Sequence, residues 1–475
     1  MFPINDHQEL DNAPSEQLLD LAKHFFGKLL TRSEIPLPES FFQQLLSHAY
    51  FIPTPSIIQK QFYYECQRCY NRKRSLFATL PCISCEEDHV YCRKCIVMGR
   101  VIECEPLYSW SVIKPNWPEV EKPSAWTGKL TEAQEHAARR ISAAIINKEK
   151  ELLVWGVCGS GKTEMLFPAV ALGLERGQRI CIATPRTDVV HELLPRFNEA
   201  FPSVHVQGLY GGSEKDEGVA QIIITTTHQL LRYKEAFDMM VIDEIDAFPY
   251  HADPMLPLAT QRAKKSASST IYVTATPRRK QRIRLRWRRL PHVFVPLRFH
   301  GHPLPVPRLQ MCFSLKREVA NKQAPASLLN WLDHREHKQR QVLIFVPTIP
   351  LAKQLCEQLT PILINQNNSR TSIDFVHAED RNREEKISLF RDHKTYILLT
   401  TTILERGVTF PAIDVAVLDA GHAVFDEAAL VQIAGRAGRS HTDPTGEVVF
   451  FHDGKTNGML EAIHSIHMMN HRGGL

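Results

Sequence analysis

No run of apolar residues in the sequence reaches the ~18 that a helix needs to cross a bilayer, so no membrane span is expected. The N-terminus, MFPINDHQEL, lacks the basic start and apolar stretch of a secretory leader. The expectation is a cytoplasmic chain. Excess charge is also scarce: 57 Lys and Arg against 52 Asp and Glu leave a net charge of only +5. A uniformly polycationic molecule is excluded, and the placement of charge matters more than its sum. Short repeats and low-complexity segments are absent, which excludes a solenoid. Cysteine, in contrast, is not scarce. Of 11 cysteines, seven fall between positions 66 and 104. In a chain expected to meet reducing conditions, such clustering points to a metal rather than to cystines.

The 475 residues, 43% of them apolar, suffice for about three globular domains of ~150 residues. Residues 1–60 read as a helical segment, with apolar residues at helical spacing in 15–30 and 39–50 and a break at Pro36 and Pro38. A cysteine module follows over 61–105, then a proline-containing linker over 106–128. From 129 the pattern becomes apolar strand, loop and helix in alternation. The runs 152–157, 179–184, 221–226, 239–244 and 270–275 read as strands of a first α/β lobe ending at 290. Residues 291–310 read as a second proline-rich linker. The alternation resumes over 311–475, with strands at 342–347, 372–377, 396–401, 415–420 and 447–452. Continuous apolar strands alternating with helices imply parallel sheets covered on both faces.

Gly156-Val-Cys-Gly-Ser-Gly-Lys162-Thr163 fits the phosphate-binding spacing G-x-x-x-x-G-K-[ST], after a strand and before a helix. Gly159, Ser160, Gly161, Lys162, Thr163 and Glu164 are thereby placed around the phosphates of ATP. Lys162 is expected on the β- and γ-phosphates and Thr163 on Mg²⁺. Asp243 and Glu244 end an apolar strand, where ligands bind in such sheets. Asp243 suits Mg²⁺, and Glu244 suits activation of the attacking water. Arg436 and Arg439, in QIAGRAGR of the second lobe, offer the cations that must meet charge developing on the γ-phosphoryl group. They would complete the site only when the lobes close. Gln134 carries the donor and acceptor needed to read adenine, and is equally an ordinary helix-surface glutamine.

Residues 278–290 hold eight basic side chains and no acid, with Trp287 among them. Arg284 and Arg286 are candidates for a nucleic-acid contact with Trp287 as a stacking platform. The same stretch reads as a solvated helix at the edge of the lobe, or as a face toward acidic lipid.

The ordered set Gln134, 156–163, TPR (184–186), TTTHQ (225–229), DEID (243–246), TAT (274–276), TTTILERG (400–407) and QIAGRAGR (432–439) resembles the superfamily 2 helicases over roughly 129–450. The stretches YCRKCIVMGRV (91–101), PLYSW (106–110), CIATPRTDVV (181–190), LYGGS (209–213) and THQLLRYKEAFDMMVIDEIDAFPY (227–250) are similar to the ComFA family of late-competence DNA-uptake ATPases. The resemblance implies two tandem RecA-like lobes behind a helical segment and a Cys₄ zinc module. It implies an ATPase dependent on single-stranded DNA that pulls transforming DNA into the cell. Partners would be the membrane uptake channel and a companion competence protein, with the chain peripheral at the inner face of the membrane. A replication-restart or RNA helicase is the alternative.

Helicase positions that touch the strand backbone match Arg186, Gly211, Gly212, Thr227, His228, Thr400 and Thr401. Short hydroxyls and free N–H groups suit phosphate oxygens and carry no base specificity; simple strand-end capping is the other reading of the threonines. For the metal, spacing alone allows Cys66 and Cys69 to join either Cys82 and Cys85 or Cys92 and Cys95 around one zinc. The resemblance favours Cys66, Cys69, Cys92 and Cys95, leaving Cys82 and Cys85 as alternates in an insertion. A second site would need His89 or Cys104.

Overall fold

Leu18, Leu21, Ala22 and Phe25 recur at three- and four-residue spacing, which places them on one face of helix α1 (Glu16–Phe25). The face packs on Phe42 and Leu45 of α2 (Glu39–Ser47) and on Phe51 of β1 (Phe51–Thr54). The cysteine module then runs through β2 (Ile57–Gln59), β3 (Tyr64–Cys66), β4 (Phe77–Pro81), β5 (Asp88–Cys92) and β6 (Val101–Ile102). β7 (Leu107–Trp110) returns to pair antiparallel with β1, Phe51 opposite Trp110. The cysteine module is thus inserted between two strands of the helical module. A strand also occupies the start of the stretch read as a linker from 106. The computed structural model describes residues 16–83, 85–213, 219–365, 372–441 and 443–474. Residues 1–15 of the expected N-terminal segment lie outside them.

The first lobe contains α3 (Glu132–Ile146), β8 (Glu151–Gly156), α4 (Phe167–Leu174), β9 (Ile180–Thr184), α5 (Thr187–Ala200), β10 (Val206–Leu209) and β11 (Ile222–Thr226). It continues through β12 (Phe237–Ile242), α6 (Met255–Ala263), β13 (Lys264–Thr274), α7 (Arg279–Arg286) and β14 (His292–Val295). Its sheet is parallel, in the order β10-β11-β9-β12-β13-β8-β14. The chain therefore leaves this sheet after Val295, inside the proline-rich stretch read as a linker.

The second lobe holds β15 (Arg308–Met311), α8 (Leu315–Ala320), α9 (Ala326–His334), β16 (Gln341–Phe345), α10 (Ile349–Asn365), β17 (Ile373–Val376) and α11 (Arg383–Arg391). It ends with β18 (Ile397–Thr400), β19 (Ile413–Val417), α12 (Glu427–Ala434), β20 (Val448–His452) and α13 (Asn457–Arg472). Its parallel sheet has the order β15-β20-β19-β16-β18-β17. The two-lobe parallel architecture is the one expected from the alternating apolar runs, and each of those runs forms a strand.

Charged side chains fasten the N-terminal module to the first lobe. Arg262 of α6 donates to the carbonyls of Gln67 at 2.9 Å and Arg68 at 2.6 Å, and to those of Tyr233 and Leu231 in its own lobe. Lys94 pairs with Asp253 at 2.8 Å. The Glu34 carboxylate sits between Arg68 of the cysteine module and Arg232 of the lobe, each at 2.7 Å. Burial alone would raise the Glu34 pKa, but Arg68 and Arg232 override it and hold the carboxyl below its ordinary 4.5. A depressed carboxylate contributes stability that is present above the unfolded pKa and lost as pH falls through the folded one. Glu34→Gln, which leaves the buried Arg68 uncompensated, should lower stability at pH 7 by about 3 kcal/mol. Thermal melts against pH should show less acid destabilisation in this variant than in the parent chain.

Candidate active site

Strands of a parallel sheet deliver their C-terminal ends to one edge, and ligands bind just beyond it. β8 ends at Gly156 and opens the loop to Thr163, in which Gly159 and Gly161 adopt φ of 80° and 68°. Glycine enters that region without steric cost. A Cβ on Gly161 would stand 2.3 Å from Nε2 of Gln134. Lys162 Nζ lies against the loop, donating to the carbonyls of Gly156 at 3.3 Å and Val157 at 3.2 Å. Thr163 and Glu164 face Arg196 of α5, which donates to Thr163 Oγ1 at 3.4 Å and pairs with Glu164. Gln134 is buried: its Oε1 accepts from Thr131 N–H at 2.7 Å and its Nε2 donates to the Ser160 carbonyl at 2.8 Å. It caps α3 and braces the phosphate loop, which leaves one lone pair and one N–H of the amide for a base.

β12 delivers Asp243 and Glu244. Asp243 Oδ1 accepts from the Glu244 N–H at 2.9 Å. Glu244 has a φ of 54°, a conformation rare for a side-chain-bearing residue and common where function demands strain. Burial pushes its carboxyl up to about 7; Arg406 opposes that rise and Asp243 adds to it. A base that titrates near neutrality suits proton abstraction from water. Asp243 is raised by burial as well, with Lys162 opposing.

The second lobe closes over this edge. Lys162, Thr163, Asp243 and Glu244 share a cavity of about 470 Å³ with Arg406, Arg436 and Arg439. Arg436 is 1% exposed, and its Nε donates to the Glu405 carbonyl at 3.0 Å. Its Nη1 and Nη2 are buried and have no hydrogen-bond partner among the described residues. Burial and the neighbouring Arg439 push its pKa down to about 9. Unpaired buried donors cost several kcal/mol, and a γ-phosphoryl group would supply the missing acceptors. Arg439, by contrast, donates to the Gly435 carbonyl at 3.2 Å and to Thr409 Oγ1 at 3.3 Å. The donor set fits ATP with Mg²⁺: a loop of N–H groups, one lysine, a hydroxyl, two carboxylates and a free guanidinium.

Arg406 had no role in the sequence reading, although it stands inside TTTILERG. It crosses the cleft to Asp246 at 2.5 Å and lies 3.9 Å from Glu244. Asp246 also accepts from Thr274 at 2.5 Å and from Thr276. Burial would raise Asp246, but Arg406 and the two hydroxyls override it and hold it at about 2. TAT, DEID and ERG are therefore one network joining the carboxylates at the end of β12 to the opposite lobe. Nothing local marks this pairing, because Asp246 and Arg406 are far apart in sequence.

The strand-contact candidates divide. Gly211, Gly212, His228 and Thr401 lie at the same sheet edges and are open or half-buried, and a Cβ on either glycine would meet nothing. Thr227 and Thr400 are buried with unpartnered hydroxyls. Thr225 caps a strand, donating to the Leu209 carbonyl at 3.0 Å. Two of the candidate arginines hold acidic partners. Arg186 binds Asp188 at 2.9 Å and donates to the Ile403 carbonyl of the second lobe. Arg284 pairs with Glu151 at the N-terminal end of β8, one strand length of about 17 Å from the phosphate loop. Arg286 and Trp287 remain exposed, while Arg278 and Arg282 pair with Asp426 and Glu427 of the second lobe, each at 2.6 Å.

In the N-terminal module, Sγ atoms of Cys66, Cys69, Cys92 and Cys95 lie within 4.8 Å of one another and all four residues are fully buried. The Cys66–Cys95 and Cys69–Cys92 separations are 3.7 and 3.5 Å. A tetrahedron of thiolates about 2.3 Å from zinc has edges of about 3.8 Å, so the set fits that metal. Asn71 Nδ2 stands 3.7 Å from Cys92 Sγ, an outer-shell donor of the kind that steadies such ligands. Cys82 and Cys85 are at the far end of the β4–β5 hairpin and do not join this group.

Two parallel-sheet lobes with this cleft between them define a helicase-like ATPase of superfamily 2. Family models agree: residues 127–279 match the type III restriction enzyme res subunit and 323–441 the helicase conserved C-terminal domain. Residues 13–109 match the competence protein ComFA N-terminal domain. Competence protein ComFA of Bacillus subtilis is 40% identical over 97% of this chain and 98% of its own. That of Streptococcus pneumoniae is 35% identical over 95% and 99%. The chain belongs to the ComFA family. Among solved structures, yeast Dbp5 bound to RNA and ADP BeF3 shares the fold, with a TM-score of 0.51 at 16% identity over 72% of this chain and 88% of that one.

Arg436→Ala should reduce the ATP turnover number by on the order of 10³-fold or more while changing nucleotide affinity far less. Steady-state kinetics beside equilibrium binding of a fluorescent ATP analogue would check both. An equal loss in Arg439→Ala, with Arg436→Ala active, would reverse the assignment.

Proposed function

We propose that this chain is an ATP-driven translocase of single-stranded DNA that powers uptake of transforming DNA into the cytoplasm. The observation that carries the reading is the Arg436 guanidinium, buried with both Nη atoms unpartnered among the described residues, across the cleft from Lys162, Asp243 and Glu244. An ATP site whose last cation comes from the second lobe works only when the lobes meet, and hydrolysis then separates them. In this reading Lys162 and Thr163 hold the β- and γ-phosphates and Mg²⁺, with Asp243 as the second Mg²⁺ anchor. Glu244 takes a proton from the attacking water, and Arg436 meets the charge on the γ-phosphoryl group. Ser160 and the Gly159 and Gly161 N–H groups line the phosphates, and Gln134 keeps the loop in shape beside the adenine.

Gly211, Gly212, His228 and Thr401 suit a backbone track without base specificity. Thr227 and Thr400, whose hydroxyls lack a partner among the described residues, join that track, and Arg286 with Trp287 extends it. Membership of the ComFA family supports DNA as cargo and competence as the setting. The Cys66, Cys69, Cys92 and Cys95 site holds a structural zinc ion, closed to substrate. Phe62 and Val97, 86% and 94% exposed, give the N-terminal module an apolar surface for a companion competence protein or the uptake channel. Docking there would keep the chain peripheral at the inner membrane face. Among the described residues no helix is long and apolar enough to cross a membrane.

ATP hydrolysis by the full chain with single-stranded DNA, duplex DNA, forked duplex and RNA tests this reading. Single-stranded DNA should stimulate turnover most, and the chain should displace streptavidin from a biotinylated strand end in an ATP-dependent way. Lys162→Ala should abolish both while leaving the melting curve in place. Stimulation by RNA alone, or by forked duplex with strand separation, would replace this reading with the helicase one.

A further inference from the structure

We propose that the N-terminal module binds a second zinc ion, held by Cys82, Cys85 and Cys104 with His89 as the fourth ligand. The inference is independent of the translocase reading. It begins from the register of the three-stranded sheet β4-β5-β6. Cys92 stands opposite Phe77 at one end of the β4–β5 hairpin, and Pro81 stands opposite Asp88 at the other. Cys82 follows Pro81 directly, so it lies a strand length, about 16 Å, from the Cys92 end. One ion cannot serve both ends. The pair 82 and 85 is therefore excluded from the buried site, and its chemistry needs another account.

At the far end the backbone forms a tight turn: the Cys82 N–H donates to the Glu87 carbonyl and the Glu86 N–H to the Cys82 carbonyl, both at 2.9 Å. Such a turn projects both thiols of a C-x₂-C pair to one side. Beyond β6, the Glu103 N–H donates to the Val90 carbonyl at 2.9 Å, which carries Cys104 alongside His89. The Sγ atoms of Cys82, Cys85 and Cys104 all lie within 4.8 Å of one another. Cys104 and Cys82 are 3.6 Å apart, close to the edge of a zinc–thiolate tetrahedron and far from a sulfur–sulfur bond. His89 Nε2 is 3.1 Å from Cys85 Sγ, which makes it the nearest candidate for the fourth ligand of a Cys₃His set. Cys85 and Cys104 are exposed. Two exposed thiols and the half-buried Cys82 have little packing reason to converge, whereas metal ligation gives one. The ion would pin the hairpin tip to the returning chain. The next residue, Glu105, accepts from the Arg32 backbone N–H at 2.9 Å, so the clamp reaches the helical module.

The test is zinc content of the purified, reduced full chain by plasma mass spectrometry, with zinc X-ray absorption on the same sample. The parent chain should carry two zinc ions and the double variant Cys82→Ser/Cys104→Ser one. The averaged shell in the parent should hold about 3.5 sulfur and 0.5 nitrogen ligands per zinc. His89→Ala should release the second ion at lower chelator concentration than the parent does. One ion in the parent overturns the proposal, as does a double variant that keeps both. If the double variant loses both ions, the absorption shell of the parent decides: four sulfurs and no nitrogen contradicts the ligand set. A Cys82–Cys104 disulfide in the reduced, zinc-supplied parent would also contradict it.

Discussion

The ion pair between Arg406 and Asp246 holds the two lobes in register over the ATP site. Both side chains are inaccessible, at 1% and 0%, and they meet at 2.5 Å. Burying two charges contributes little net stability, but removing one partner is costly. Such a pair is either made, as here through Arg406 Nη2, or broken with water on both groups, which suits a contact with two positions. Thr274 and Thr276 fix Asp246 on the first lobe, and Glu405 with Arg436 extends the network on the second. Glu244, within 3.9 Å of Arg406, feels whether the pair is made. Its carboxyl is raised mainly by burial and lowered by Arg406, so a charge on the second lobe acts on it.

Much of the fold and part of the site are legible along the chain because they depend on neighbours in sequence. The phosphate loop is eight consecutive residues, and DEID follows its own strand, so spacing alone carries them. The apolar runs of both lobes become strands for the same reason. What depends on distant partners is not visible. Arg284 looks like one cation in a basic row until Glu151, far upstream, is found beside it. Arg406 reads as part of a threonine-rich turn until Asp246 faces it. β14 hides in a proline-rich stretch because Val293 and Val295 have only short apolar company, and pairing with β8 decides their state. β13 begins at Lys264, six residues before its apolar run, because Lys264 pairs with Phe237 of β12 ahead of a register shift that brings Ser269 opposite Met239.

The nested N-terminal module shows how a small, cysteine-rich unit gains a fixed place. Its cysteine segment leaves the helical module at β1 and returns at β7, so both ends are tied to one aromatic core around Phe51 and Trp110. Glu34 then joins the helical module, the cysteine module and the first lobe through two arginines. Arg262 adds a second tie from α6. The module is therefore continuous, through Arg232 and its bond to Gln229, with the loop after β11.

The central claim is that the ATP site is completed by lobe closure and opened by hydrolysis. The most direct measurement is single-molecule energy transfer between dyes placed on exposed α5 and α11 positions through unnatural amino acids. With a non-hydrolysable ATP analogue and single-stranded DNA together, one short inter-lobe distance should dominate. With ADP the distribution should lengthen, and Asp246→Asn should broaden it in every state. A single unchanging distance across all nucleotide states would contradict the account.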